Sequence, residues 1–145
     1  PMYSTHWGGM TNADGPAQVR AALARLSMEM RPHLFMGDLN MYVHDRWSPP
    51  APCSGNEIPE FREGLGLITA AGYVDSWTKT QSGEGYTGMS SRRGCGSTPG
   101  GLYKRIDYVF AKGLEPIRST RIGQVAPGAD APSDHAGLRV EFARP

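Results

Sequence analysis

A strand, an amphipathic helix and a second strand follow one another at the start of the chain, and this succession most constrains the fold. Met2-Tyr3-Ser4-Thr5-His6 reads as the end of a strand. In the run TNADGPAQVRAALARLSMEM, Asn12 or Asp14 can cap a helix and Pro16 suits its first turn. Val19, Leu23, Leu26 and Met30 recur at helical spacing, and Pro32 marks the end. Residues 33–37 then hold the apolar run Leu34-Phe35-Met36, a short buried strand. Strand, helix, strand in this order predicts a right-handed crossover with both strands in one sheet. The class is therefore α/β (α+β), and 145 residues suit one domain.

Further along, residues 41–56 read as a Pro-rich loop. EIPEFREGLGLITAAG places Ile58, Phe61, Leu65 and Ile68 on one helical face, weakened by Gly64 and Gly66 and closed by Gly72. YVDSW (73–77) reads as a strand, 79–101 as loop with GYT (85–87) a short strand inside it, and RIDYVFA (105–111) as a strong strand. Residues 114–122 make another strand. Leu138, Val140 and Phe142 alternate with Arg139 and Glu141 in a last one with a polar face.

The formal net charge of +1 neither requires nor excludes a nucleic-acid partner. No apolar run reaches the roughly 20 residues of a transmembrane helix, so no transmembrane segment is expected. No stretch has the pattern of a signal peptide. Pro1 and a first strand lacking its apolar half predict a truncated chain, which leaves location open, export included. Cys53 and Cys95 either pair as one disulfide or stand as two unrelated thiols.

Polar residues gather at the strand ends: His6, Asp38 with Asn40, Asp107, and Asp134 with His135. In layered α/β proteins such ends are where sites are assembled. Each has a plainer reading. Asp38 and Asn40 can form an Asx-turn, and Ser133 can cap a turn before His135. Asp107 lies within an apolar strand, where an acid costs several kcal/mol (about 2–7) unless paired. Pairing with Arg105 or Lys104 is the structural alternative. His33 and His44 read as structural or solvated.

Taken together, STHW, Gln18 on the helix, GDLN, GYVDSW, GYT, RIDYVF and SDH stand in an order that resembles the endonuclease/exonuclease/phosphatase superfamily, the deoxyribonuclease I-like fold. The resemblance runs from residue 3 to about 142. It implies a four-layer αββα sandwich of which residues 1–145 hold a partial domain, the C-terminal sheet-plus-helices half, with the N-terminal half as its absent partner. It implies a metal-dependent phosphoesterase that hydrolyses phosphodiester bonds, with a nuclease among the activities it admits, the isolated fragment being inactive. The alternative is a non-catalytic binding module or degenerate homologue. His6, Asp38, Asn40, Asp107 and His135 would be catalytic and Asp134 would serve a metal, Mg2+ or else Mn2+ or Ca2+. Asp38 would accept a proton from water, with Asn40 beside it on one side of an extended segment. Asp107 would hold His135 against a phosphoryl oxygen. The substrate is a nucleic acid, a phospholipid headgroup or a small phosphoester. The family's principal metal-binding glutamate belongs to the absent half, and Glu29, Glu57, Glu60, Glu63 and Glu84 are misplaced to replace it. Arg92, Arg93, Lys104 and Arg105 either face a DNA backbone or are solvated, and Trp47 and Trp77 either stack on ligand or pack.

Overall fold

The computed structural model describes residues 1–7, 14–42, 59–83, 85–89, 102–123 and 133–144. Asn12, His44, Trp47, Cys53, Glu57, Ile58, Glu84, Arg92, Arg93 and Cys95 lie outside the described residues. In chain order the elements are β1 (Met2–His6), α1 (Asp14–Leu26), β2 (His33–Asp38), α2 (Pro59–Ala70), β3 (Val74–Asp75), α3 (Ser76–Thr80), β4 (Gly88–Met89), β5 (Leu102–Lys104), β6 (Asp107–Lys112), β7 (Pro116–Ile122) and β8 (Gly137–Phe142).

Four strands form one mixed sheet in the order β1-β2-β6-β3. The first two are parallel, as a strand-helix-strand succession requires, and β6 runs antiparallel to both of its neighbours. Two further ladders, β4 with β5 and β7 with β8, are antiparallel pairs.

One face of the four-stranded sheet carries the core. Phe35 stands opposite Phe110 across the β2–β6 ladder, and both bury against Val19 and Leu26 of α1 and Phe61, Leu65 and Ile68 of α2. Gly64 lets the helical layer close. A Cβ there would lie 2.7 Å from the sulfur of Met41 and 3.5 Å from Val19. Arg20 and Glu63 tie the two helices at 2.7 Å on the solvent side. His33 is fully buried, and both of its ring nitrogens have hydrogen-bond partners. Its Nδ1 lies 2.7 Å from the Arg31 carbonyl and its Nε2 2.6 Å from the Tyr73 hydroxyl.

Side chains alternate across a strand, so the register assigns the opposite face to Met2, Ser4 and His6, to Leu34, Met36 and Asp38, and to Asp107, Val109 and Ala111. No helix among the described residues is long and apolar enough to cross a membrane.

Several local expectations change. Met30 lies past the end of α1 and is exposed. The 73–77 segment is a strand only at Val74–Asp75. Asp75 then caps α3, its carboxylate accepting from the Trp77 N–H at 3.0 Å, and a capped turn replaces the strand's second half. GYT precedes β4 rather than forming it.

Candidate active site

Three of the expected residues occupy one register row of the sheet. His6 ends β1, Asp38 ends β2 and Asp107 begins β6, and they are direct neighbours in the order His6, Asp38, Asp107. Two parallel strands finish where an antiparallel one starts, so their polar tips share one end and one face.

Gly37 makes this possible. Its φ is +142°, and a Cβ there would fall 1.8 Å from the Thr5 carbonyl oxygen. Only glycine lets β1 approach β2 this closely just before the acid.

Beyond Asp38 the chain turns back. Asn40 takes a left-handed conformation, φ +49°, and its N–H donates to Asp38 Oδ1 at 2.8 Å. The Asx-turn is therefore real, and Asn40 reaches Asp38 by curling back rather than by lying two residues along an extended strand. Its side-chain amide donates to the Trp7 carbonyl and lies 3.4 Å from Asp38 Oδ2, while the Trp7 N–H donates to the Asp38 carbonyl at 3.0 Å. The tips of β1 and β2 are thus stitched together by the GDLN segment.

His135 arrives from another direction. It precedes β8, bridges Gly88, and takes a 3.0 Å contact from its own N–H to Ser133 Oγ. Its Nδ1 donates to Asp107 Oδ2 at 2.8 Å. Asp107 therefore pairs with His135, not with Lys104 or Arg105. Nε2 points to Asp38 Oδ2 and Asp134 Oδ1, each 4.0 Å away. Neither distance is a hydrogen bond, so Nε2 and both carboxylates keep valences for a third atom. His6 Nε2 lies 3.5 Å from the same Asp38 oxygen. Asp38 is 14% exposed, His6 73% and Asp134 86%, a site graded from a semi-buried acid to an open rim.

Electrostatics follow this gradient. Burial pushes the Asp38 carboxyl up, and the Asp107 charge adds to that. The Asn40 N–H and the two histidines oppose but do not cancel it. Burial pulls the His135 imidazole down, yet its bond to Asp107 and the charges of Asp107, Asp38 and Asp134 outweigh this and hold it above its ordinary value.

Asp38, Asp107 and His135 bring ligand atoms within 4.8 Å of one another, a group that could hold a metal ion. Asp107 and His135 are already engaged with each other through Oδ2 and Nδ1, and Asp107 Oδ1 and the Asp38 carboxylate are the oxygens left within that group. One or two carboxylates completed by water suit a hard divalent cation.

Other expected contributors lie elsewhere. Arg105 forms a buried pair with Asp75, 2.7 Å between Nη2 and Oδ2 and 3.2 Å between Nη1 and Oδ1, so it is not part of a free basic surface. Trp77 is packed, its indole N–H donating to the Gly83 carbonyl. Glu29 is taken by Arg31 and Tyr3. The Asp75–Arg105 pair and the buried hydroxyl of Thr87 had no local sequence signal, because each works across a long chain separation. A cleft of about 530 Å³ runs from Asp107 and His135 past Met36, Val109 and Leu138, over the sheet face opposite the helices.

The sequence profile of the Endonuclease/Exonuclease/phosphatase family matches residues 3–135. Among solved structures, an endonuclease/exonuclease/phosphatase family protein from Leptotrichia buccalis is 21% identical with a TM-score of 0.64, covering 99% of this chain and 48% of its own. An AP endonuclease from Archaeoglobus fulgidus is 20% identical, TM-score 0.65, covering 87% of this chain and 52% of its own. D. rerio TDP2 complexed with single strand DNA product is 18% identical, TM-score 0.64, covering 99% and 56%. These likenesses establish a common deoxyribonuclease I-like fold, and the chain spans about half the length of those structures. No curated protein matches the chain.

Proposed function

Because the chain belongs to the endonuclease/exonuclease/phosphatase family, we propose that it carries the phosphate-facing half of a divalent-metal-dependent phosphodiesterase. The observation that carries this reading is the meeting of His6, Asp38, Asp107 and His135 at one end of one sheet face.

Hydrolysis of a phosphate ester needs a proton acceptor for the attacking water and donors for the phosphoryl oxygens. Asp38 is the acceptor, semi-buried and held by the Asn40 N–H. Its raised affinity for a proton makes it a better base than a free carboxylate. His135 donates from Nε2, the nitrogen left open by the Asp107 bond. Asp107 fixes the ring and favours its charged form. Asn40 steadies the Asp38 carboxylate through its N–H and its side-chain amide, and His6 adds a donor on the solvent side. Asp134 is the outer carboxylate for Mg2+, Mn2+ or Ca2+. When bound, that cation supplies charge neutralisation at the phosphoryl oxygens.

The second half of the sandwich seats on the sheet face that holds Leu34, Met36 and Val109, all half-buried in this chain, and brings the remaining metal carboxylate. A nucleic-acid phosphodiester is the substrate best supported. D. rerio TDP2 was seen with a single strand DNA product, and another structural neighbour is an AP endonuclease.

The test is cleavage of plasmid DNA, sphingomyelin and an aryl phosphodiester by the intact domain, with Mg2+ and with chelator. DNA cutting that needs metal and is lost in Asp38→Ala and His135→Ala is expected. Cutting of no phosphodiester, or cutting untouched by both variants, overturns the reading. DNA retention without cutting installs the non-catalytic binding module instead.

A further inference from the structure

Thr87 lies apart from the row of acids and histidines, fully buried, in a segment to which no role attaches so far. Its polar atoms reach two different parts of the site. Thr87 Oγ1 accepts from the backbone N–H of Asp107 at 3.1 Å and from that of Ile106 at 3.3 Å. The Thr87 N–H donates to the Lys104 carbonyl at 2.9 Å, and the Thr87 carbonyl accepts from the Ala136 N–H at 2.7 Å. The next residue, Gly88, bridges His135. One residue thus holds the first residue of β6 through its hydroxyl and the residue after His135 through its carbonyl.

We propose that Thr87 is a positioning residue that sets the distance between the Asp107 and His135 backbones, so that Oδ2 and Nδ1 close to 2.8 Å. Threonine suits the task. Its γ-oxygen stands one bond from a β-carbon fixed by branching, so it has few rotamers to lose. Valine keeps the shape and removes the acceptor. Two N–H groups at the start of β6 then lose their partner inside the protein, which a fold tolerates only by moving. Asp107 is one of those two residues, so its carboxylate shifts with its backbone. Serine restores the acceptor with less branching. Nothing here requires Thr87 to touch substrate.

The proposal rests on the Asp107–His135 pair serving the phosphodiesterase site, so its test has one readout that needs no turnover. In 15N-histidine-labelled protein, the His135 Nδ1–H resonance, assigned by its loss in His135→Gln, reports the bond to Asp107. Wild type should show a downfield, slowly exchanging proton, and Asp107→Asn should abolish it. Thr87→Val should broaden or lose it while backbone amide dispersion stays native, and Thr87→Ser should keep it. In the intact domain, Thr87→Val should lower kcat by about ten- to a hundredfold with KM within about twofold, the size expected of a misplacement near 1 Å. Thr87→Ser should restore most of the rate. If Thr87→Val does not fold, Thr87→Cys, of similar volume but a weak acceptor, replaces it. A folded Thr87→Val or Thr87→Cys that keeps the Nδ1–H signal overturns the proposal alone, as does a serine variant no better than valine. Absence of the signal in wild type removes the Asp107–His135 pair itself, and with it the role given to His135 above.

Discussion

Replacing Gly37 by alanine tests whether the GDLN segment is glycine-dependent for the reason given. At φ +142° a residue with a Cβ is strained by about 1–3 kcal/mol. The new methyl would also lie 1.8 Å from the Thr5 oxygen, 2.8 Å from its carbonyl carbon and 3.0 Å from its nitrogen. These are backbone atoms, so no side chain can swing aside, and β1 must retreat from β2. Overpacking that moves backbone costs a further ~1–3 kcal/mol. The sum is roughly 2–6 kcal/mol, toward the lower end if β1 peels away, since Met2, Tyr3 and Ser4 are exposed. At about 2–4 °C per kcal/mol for a chain of this size, the thermal midpoint falls by roughly 5–20 °C. The assay is urea and thermal unfolding with amide exchange on the same samples. The N–H of Trp7, which donates to the Asp38 carbonyl, should lose protection first. A Gly37→Ala protein within about 0.5 kcal/mol of wild type, its Trp7 amide still protected, would refute the close-approach account.

Three other outcomes are expected. Arg105→Met leaves Asp75 buried without its bidentate partner and should cost about 3–5 kcal/mol in urea unfolding, whereas Asp75→Asn in that background should add little. Gly85→Ala puts a methyl 2.5 Å from the Trp77 indole nitrogen and should break its bond to Gly83, red-shifting tryptophan emission with a loss of about 1–3 kcal/mol. Asp38→Asn should be inactive yet more stable than wild type near neutral pH. The folded-state pKa of Asp38 is raised above its ordinary 3.8, so the stability this carboxyl contributes is present below that value and lost as pH rises through the folded pKa. The stability gap between Asp38→Asn and wild type, measured by urea melts in chelator, should therefore widen with rising pH and vanish in acid. A gap that narrows with pH would contradict the burial of Asp38.

The central strands β2 and β6 and both long helices were legible because each buries one face. Phe61, Leu65 and Ile68 are core where the spacing put them, and Val19 and Leu26 likewise. Where the reading failed, a local pattern competed with a cap or a distant partner. YVDSW has strand composition, but Asp75 can satisfy the Trp77 N–H, and a helix start replaces the strand. Asp38-x-Asn40 suggested extended spacing, whereas Asn40 tolerates positive φ and so turns the chain back. Met30 fitted the helical period but lies beyond Leu26, where nothing buries it. For the site, the order of motifs marked His6, Asp38, Asp107 and His135. It could not show that Arg105 belongs to Asp75, 30 residues away, or that Asp107 leans on Thr87, 20 residues away.

The register of the sheet also explains why such a site is held together at a cost. Asp38 and Asp107 face each other as a direct pair in an antiparallel ladder, where like charges repel. A slip of one residue would separate them by sending one to the helix face, into contact with Phe35 and Phe110, which no charge tolerates without a partner. Burial of the aromatic pair thus fixes the register, and the register forces the two acids together. His135 relieves the repulsion by bonding one acid and facing the other, and His6 does so more weakly from the rim. Taking the histidines away should therefore leave a like-charged pair whose relief comes from a proton or a cation, so the same core packing that stabilises the sheet creates the demand for positive charge at its tip.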